Sequence, residues 1–117
     1  MFGKGRETGY AEILPGIRIK TLVHGEKTLM VRFVLSAGSL LPEHSHIYEQ
    51  TGYLVEGRMR LHIGDSVFET EPGDSWCVAP DVRHSSEVLE DSVAVEVFSP
   101  ARQDYLKYFT PEEGGRK

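Results

Sequence analysis

His44 and His46 stand two residues apart, and His84 follows forty residues after the first of them, beyond Pro72-Gly73-Asp74 and Pro80. On an extended strand, side chains at i and i+2 share a face, so His44 and His46 could bind one metal ion together. Three imidazoles with one oxygen ligand suit a divalent first-row ion: manganese, iron, cobalt, nickel or zinc. The oxygen could come from Glu49 or from Gln50, which face opposite sides if they lie on a strand. A His-x-His pair by itself is more often part of a solvated polar loop than a ligand pair. The weight here rests on the further residues spaced around it, Gly38, Gln50, Gly57 and His84. His24, in a turn, and His62, in a strand with Arg60, read as solvated.

A second group lies in Val93-Ala-Val-Glu96-Val-Phe98-Ser-Pro-Ala-Arg102. Its alternation puts Val93, Val95 and Val97 on one face and Ala94, Glu96 and Phe98 on the other. If the valines pack against a covering strand or a partner subunit, Glu96 and Phe98 face the interior, where a carboxylate near a metal could move protons. If the valines form the core instead, Glu96 is solvated. The pattern does not choose between the two. Arg102 could fork onto a substrate carboxylate. Tyr53 and Trp76 read as core residues rather than walls of a cavity.

Residues so far apart in sequence must be brought together by the elements between them. Twelve Gly and six Pro in 117 residues mark many turns. Between them lie short runs rich in Val, Ile, Leu, Phe and Tyr. Strands are predicted over Ile17–Val23, Thr28–Leu35, Tyr53–Glu56, Arg58–Ile63, Ser66–Glu71, Ser75–Val78, Ser85–Leu89 and Val93–Phe98. Turns are predicted at His24-Gly25-Glu26, Ala37-Gly38, Gly57, Gly64-Asp65, Pro72-Gly73-Asp74 and Glu90-Asp91. Many short strands at near-regular spacing indicate a sandwich or a small barrel. One helical turn is expected at Gln103–Phe109, followed by a polar tail ending Glu-Glu-Gly-Gly-Arg-Lys.

The whole chain sets outer limits. Its length fits a single domain, residues 1–117. A net charge of −5 argues against a nucleic-acid or anionic-membrane partner. No apolar run approaches the roughly 20 residues of a membrane span. The start, Met1-Phe-Gly-Lys-Gly-Arg-Glu, has no apolar signal core, and Cys77 has no second cysteine to pair with. A cytoplasmic location is expected.

The two histidine stretches together resemble the paired motifs of the cupin superfamily. Its first motif reads Gly, five residues, His-x-His, three or four residues, Glu or Gln, six residues, Gly. Gly38, His44, His46, Gln50 and Gly57 match it, and the spacing to Gly57 selects Gln50 over Glu49. Pro72-Gly73-Asp74, Pro80 and His84 match the second motif, with Ala79 and Asp81 where many cupins have Pro and Gly. The resemblance covers a core of about residues 28–102. It implies an all-β double-stranded β-helix, a jelly-roll barrel, with one metal on His44, His46, Gln50 and His84. A neutral amide ligand leaves the full charge of a divalent ion in place, which favours an anionic substrate and Lewis-acid chemistry.

A narrower resemblance follows from His-Ser-His-x-x-Glu-Gln-x-Gly-Tyr-Leu-Val-Glu-Gly, Pro-Gly-Asp-Ser and Val-Phe-Ser-Pro-x-Arg-x-Asp-Tyr. These strings are similar to the small pectin-degradation cupins that open the ring of 4,5-unsaturated monouronates. The resemblance implies Glu96, Phe98 and Arg102 as catalytic residues, with Glu96 standing where that family has Asp. It also implies a small anionic sugar-like substrate and a homodimer. The other readings are a metal-dependent dioxygenase of the quercetinase type and a non-catalytic cupin that holds a small sugar or acid.

Overall fold

Apolar residues at alternate positions bury one face of a strand, and in this chain they do so from Ile17 onward. In the third strand Leu29, Val31, Phe33 and Leu35 are all buried, with Met30, Arg32 and Val34 between them partly exposed. The computed structural model describes residues 1–110; the polar tail expected after the helical turn falls outside the described residues. Eight strands form among the described residues: β1 Ala11–Leu14, β2 Ile17–His24, β3 Leu29–Leu35, β4 Leu40–His44, β5 Glu49–Ile63, β6 Ser66–Thr70, β7 Ser75–Val78 and β8 His84–Ser99. A 3₁₀ helix, Gln103–Tyr108, follows the cis peptide Ser99–Pro100 and corresponds to the expected helical turn. No helix among the described residues is long and apolar enough to cross a membrane.

Every strand pairing is antiparallel. β5 and β8 pair along most of their lengths, from Glu49↔Ser99 to Ile63↔His84, and the other strands flank this pair. The first part of β5 pairs with β7 and its last part with β6. The last part of β8 pairs with β3, and through it with β2 and β1, while its first part pairs with β4. Two sheets thus share two long bent strands and face one another across a core of Ile17, Ile19, Leu54, Met59, Leu61, Val88, Phe98 and neighbours. Full burial of each such side chain contributes about 1.5–3 kcal/mol. This is an all-β double-stranded β-helix, a jelly-roll barrel.

Two expected turns are instead bends inside continuous strands. Gly57 and Glu90-Asp91 were predicted to end strands, yet β5 and β8 run through both positions. Register shifts between Leu54 and Met59 show bulges at the bend. Gly57 takes φ 99°, and a Cβ there would collide with Ser92 and with the Asp91 carbonyl. A glycine that reads as a turn signal therefore serves here as a bulge. Neither β1 nor β4 is among the predicted strands, and in β4 Pro42 argues against a strand. β4 lies at a sheet edge, where the ladder is irregular between Leu41 and His44 and a proline is tolerated.

Candidate functional site

The end of β4 and the start of β8 are register partners, His44 opposite His84. That pairing sets their rings 4.2 Å apart, centroid to centroid. His46 lies just past the strand rather than on it, in the turn leading to β5. Its ring still converges, 4.9 Å from His84 and 5.6 Å from His44. The pair therefore meets through a turn and not through the strand alternation predicted for it. One ligand-capable nitrogen from each of the three rings lies within 4.8 Å of the others, so the triad could hold a metal ion.

Each ring is oriented from behind by a backbone carbonyl. The Nδ1 atoms of His44, His46 and His84 lie 2.8, 3.0 and 2.9 Å from the carbonyl oxygens of Pro42, Tyr48 and Val82. A carbonyl can only accept, so a neutral ring places its proton on Nδ1 and leaves the Nε2 lone pair for a metal. His84 Nε2 is buried with no hydrogen-bond partner. Burial holds the His46 and His84 pKa values below the usual imidazole range, and Arg102 pushes both the same way. Neutral rings are the form that ligates.

Gln50 faces inward, and Glu49 faces outward, with its carboxylate 3.9 Å from the Cys77 thiol. The Gln50 amide nitrogen donates to Glu96 Oε1 at 3.0 Å, which turns its oxygen toward His46 Nε2 at 2.8 Å. With the His46 proton on Nδ1, both of those atoms are acceptors. Two acceptors in such contact are reconciled by a cation placed on both. The donor set, three imidazole nitrogens and one amide oxygen, fits a divalent first-row ion.

The ambiguity about β8 is resolved in favour of the inward carboxylate. Ala94 and Phe98 are buried, Glu96 lines the cavity, and Val93, Val95 and Val97 lie on the outer, partly exposed face. Glu96 receives the Gln50 amide on one oxygen and the Trp76 indole N–H on the other, at 3.0 Å each. Burial raises its pKa to about 7, against the opposing pull of those two hydrogen bonds and of Arg102. Phe98 packs edge-on to His46, 5.8 Å between centroids.

Arg102 closes the cavity wall. Its guanidinium lies 3.9 Å from the Tyr105 ring centroid, 5.0 Å from Phe98 and 5.3 Å from Tyr48. Asp104 takes the Nε edge at 2.9 Å. This leaves the planar fork stacked among aromatic rings at the site.

One aromatic assignment needs correction. Tyr53 is 49% exposed on the outer face, neither core nor cavity wall. Trp76 packs against the core as read, and it also lines the cavity and binds Glu96. The signal for Tyr53 was present: Gln50, Gly52 and Leu54 point inward, so Tyr53 must point out. Tyr48 and Tyr105 escaped sequence reading because they act through contacts with His46 and Arg102. His24 and His62 stay apart from the triad; His62 Nε2 lies 3.2 Å from Glu87 on the outer surface. Asp81 keeps the conformation a glycine would adopt, φ 67°, and its N–H donates to the His46 carbonyl at 2.7 Å.

Residues 31–99 match the cupin domain family. The pectin degradation protein KdgF of Dickeya dadantii (strain 3937) is 28% identical over 102 residues, 86% of this chain and 93% of that protein. The structure of KdgF from Halomonas sp. superimposes with a TM-score of 0.85 at 27% identity, covering 89% of this chain and 96% of that one. An RmlC-like cupin from Shewanella frigidimarina NCIMB 400 gives a TM-score of 0.84, also at 27% identity, covering 89% of this chain and 94% of the other. With the fold, the histidine triad and more than half of the chain matching, this protein belongs to the cupin family.

Proposed function

We propose that this protein binds one divalent transition-metal ion through His44, His46, Gln50 and His84. We further propose that it opens and ketonises 4,5-unsaturated monouronates released from pectin or alginate. The observation that carries this reading is Glu96: a partly buried carboxylate lining the cavity, one hydrogen bond from Gln50, with Arg102 close enough to act on its charge. The similarity to two KdgF proteins, one of them named for pectin degradation, supports the substrate class.

The substrate is a cyclic hemiacetal and enol ether carrying a carboxylate. Arg102 orients that carboxylate, a charged hydrogen bond worth roughly 1.5–3 kcal/mol. Glu96, with its pKa raised to about 7, takes the proton of the anomeric hydroxyl. The C1=O bond forms as the bond from C1 to the ring oxygen breaks, leaving an enolate on that oxygen. The protonated Glu96 then delivers its proton to C4 as the enolate becomes the ketone, which restores the Glu96 carboxylate and needs no oxidant or reductant. Phe98 walls the sugar face. When bound, a divalent ion supplies Lewis-acid polarisation of substrate oxygens.

The same reading places the protein in the cytoplasm as a single domain over residues 1–117. It pairs as a homodimer through the outward valines Val93, Val95 and Val97, with no nucleic-acid or membrane partner. The test is to load the protein fully with metal and follow loss of ultraviolet absorbance of unsaturated monouronates. Faster loss than the spontaneous rate supports the reading. No acceleration at full metal occupancy overturns it, and oxygen uptake would then identify a dioxygenase, while saturable binding alone would identify a binding cupin.

A further inference from the structure

Gly52 stands between Trp76 and Glu96. On β5 it is the register partner of Trp76 on β7 and of Glu96 on β8. The indole lies so closely over this residue that a Cβ would collide with its ring atoms. The bare backbone lets the indole reach across a whole strand, where Nε1 donates to Glu96 Oε2 at 3.0 Å. The other carboxylate oxygen accepts from Gln50 Nε2 at 3.0 Å. Held at both oxygens, the carboxylate determines which way the Gln50 amide turns. Nothing within a glutamine side chain makes that choice, because its terminal torsion is broad and nearly two-fold.

We propose that Trp76 is a positioning residue for the metal centre: seated over Gly52, its indole N–H fixes Glu96, and Glu96 fixes the Gln50 amide with its oxygen toward the three imidazoles. The inference rests on the metal assignment above and not on the uronate substrate. It accounts for two residue choices at once. Position 52 must be glycine to admit the indole. Position 50 carries an amide because a glutamate there would set a second carboxylate against Glu96.

Trp76 is the sole tryptophan of the chain, so its indole N–H gives a single cross-peak in a nitrogen–proton correlation spectrum. In the metal-free protein, Glu96→Ala is expected to shift that peak and speed its exchange with water. In a cobalt(II) titration, Trp76→Phe is expected to bind about tenfold more weakly than wild type, the low end of what losing an outer partner of a metal ligand costs. Its cobalt visible absorption should change while its Tm stays within a few degrees of wild type. An indole peak indifferent to Glu96→Ala overturns the proposal, as does Trp76→Phe with wild-type cobalt affinity and spectrum. Wild-type protein that takes up no cobalt overturns the metal assignment and this role together, whereas normal uptake by both proteins overturns the role alone. Should Trp76→Phe fail to fold, the cobalt titration of Glu96→Ala, which keeps the indole, takes its place with the same two readings.

Discussion

The two long strands carry similar residue types at two places, with opposite chemical results. Inside the barrel, Gln50 of β5 and Glu96 of β8 meet beside an imidazole. On the outer face, farther along the same strands, Arg60 of β5 binds Glu87 of β8 at 2.8 Å and Glu69 of the neighbouring β6 at 2.9 Å, and His62 lies 3.2 Å from Glu87. Hydrogen-bond lengths differ little between the sites. Exposure and partner charge differ greatly. Outside, arginine holds the Glu69 and Glu87 carboxyls below the usual range. Inside, burial outweighs two neutral donors and lifts Glu96 to about 7. A hydrogen-bonded carboxylate is pushed toward its protonated form where water is removed and full counter-charge is not supplied.

Substitutions made in pairs, one at each place, test that contrast. The largest effect is expected at the imidazoles. His46→Ala breaks the triad and should remove most bound metal, whereas His62→Ala should leave metal content at the wild-type level; metal analysis by mass spectrometry distinguishes them. Next comes the carboxylate pair. Glu96→Gln should cut turnover by roughly 10²–10⁴-fold, the usual worth of a general acid or base, with little change in Tm. Glu87→Gln should leave turnover intact, and equal losses in the two variants would erase the distinction drawn here. Arginine gives a smaller effect. Arg102→Ala should raise KM for acidic substrates by roughly 10–100-fold, the equivalent of one charged hydrogen bond, and should spare neutral sugars. Arg60→Ala should leave KM unchanged, because exposed ion pairs act on little beyond their own surroundings.

The last contrast is the dependence of stability on pH in the metal-free protein, and the two places should differ in sign. The Glu96 pKa rises from its ordinary 4.5 to about 7 on folding, so the folded state binds the proton more tightly. Its contribution is full below about pH 4.5 and is lost as the pH rises through about 7. Glu69 and Glu87 are lowered from 4.5, so theirs is present above that value and is lost as the pH falls through their folded values. Urea unfolding across this range should show wild type losing ground to Glu96→Gln as the pH rises toward neutral. Glu87→Gln should show its cost fading as the solution becomes acid. The same slope in both would mean that burial does not govern Glu96.

Turn spacing and strand alternation in the sequence pointed to a sandwich or small barrel, and the resemblance of its motifs to the cupins implied the jelly roll, the histidine triad and Gln50 in place of Glu49. Both kinds of signal are legible because residue types and their spacing can be read along the chain. Alternation also states which residues share a face: Ala94 with Glu96 and Phe98, and Val93 with Val95 and Val97. It does not state which face is inside, since either set could be covered. That was decided only when β8 was placed between β3 and β5, with the core on one side of the sheet. Continuity of β5 through Gly57 was likewise a tertiary outcome, because a positive-φ glycine serves a turn or a bulge equally well and only the close approach of Ser92 distinguishes them. The Trp76 bond to Glu96 spans two strands and depends on the missing side chain of a third residue. No window of sequence contains all three partners, so only the packed sheet could bring them together.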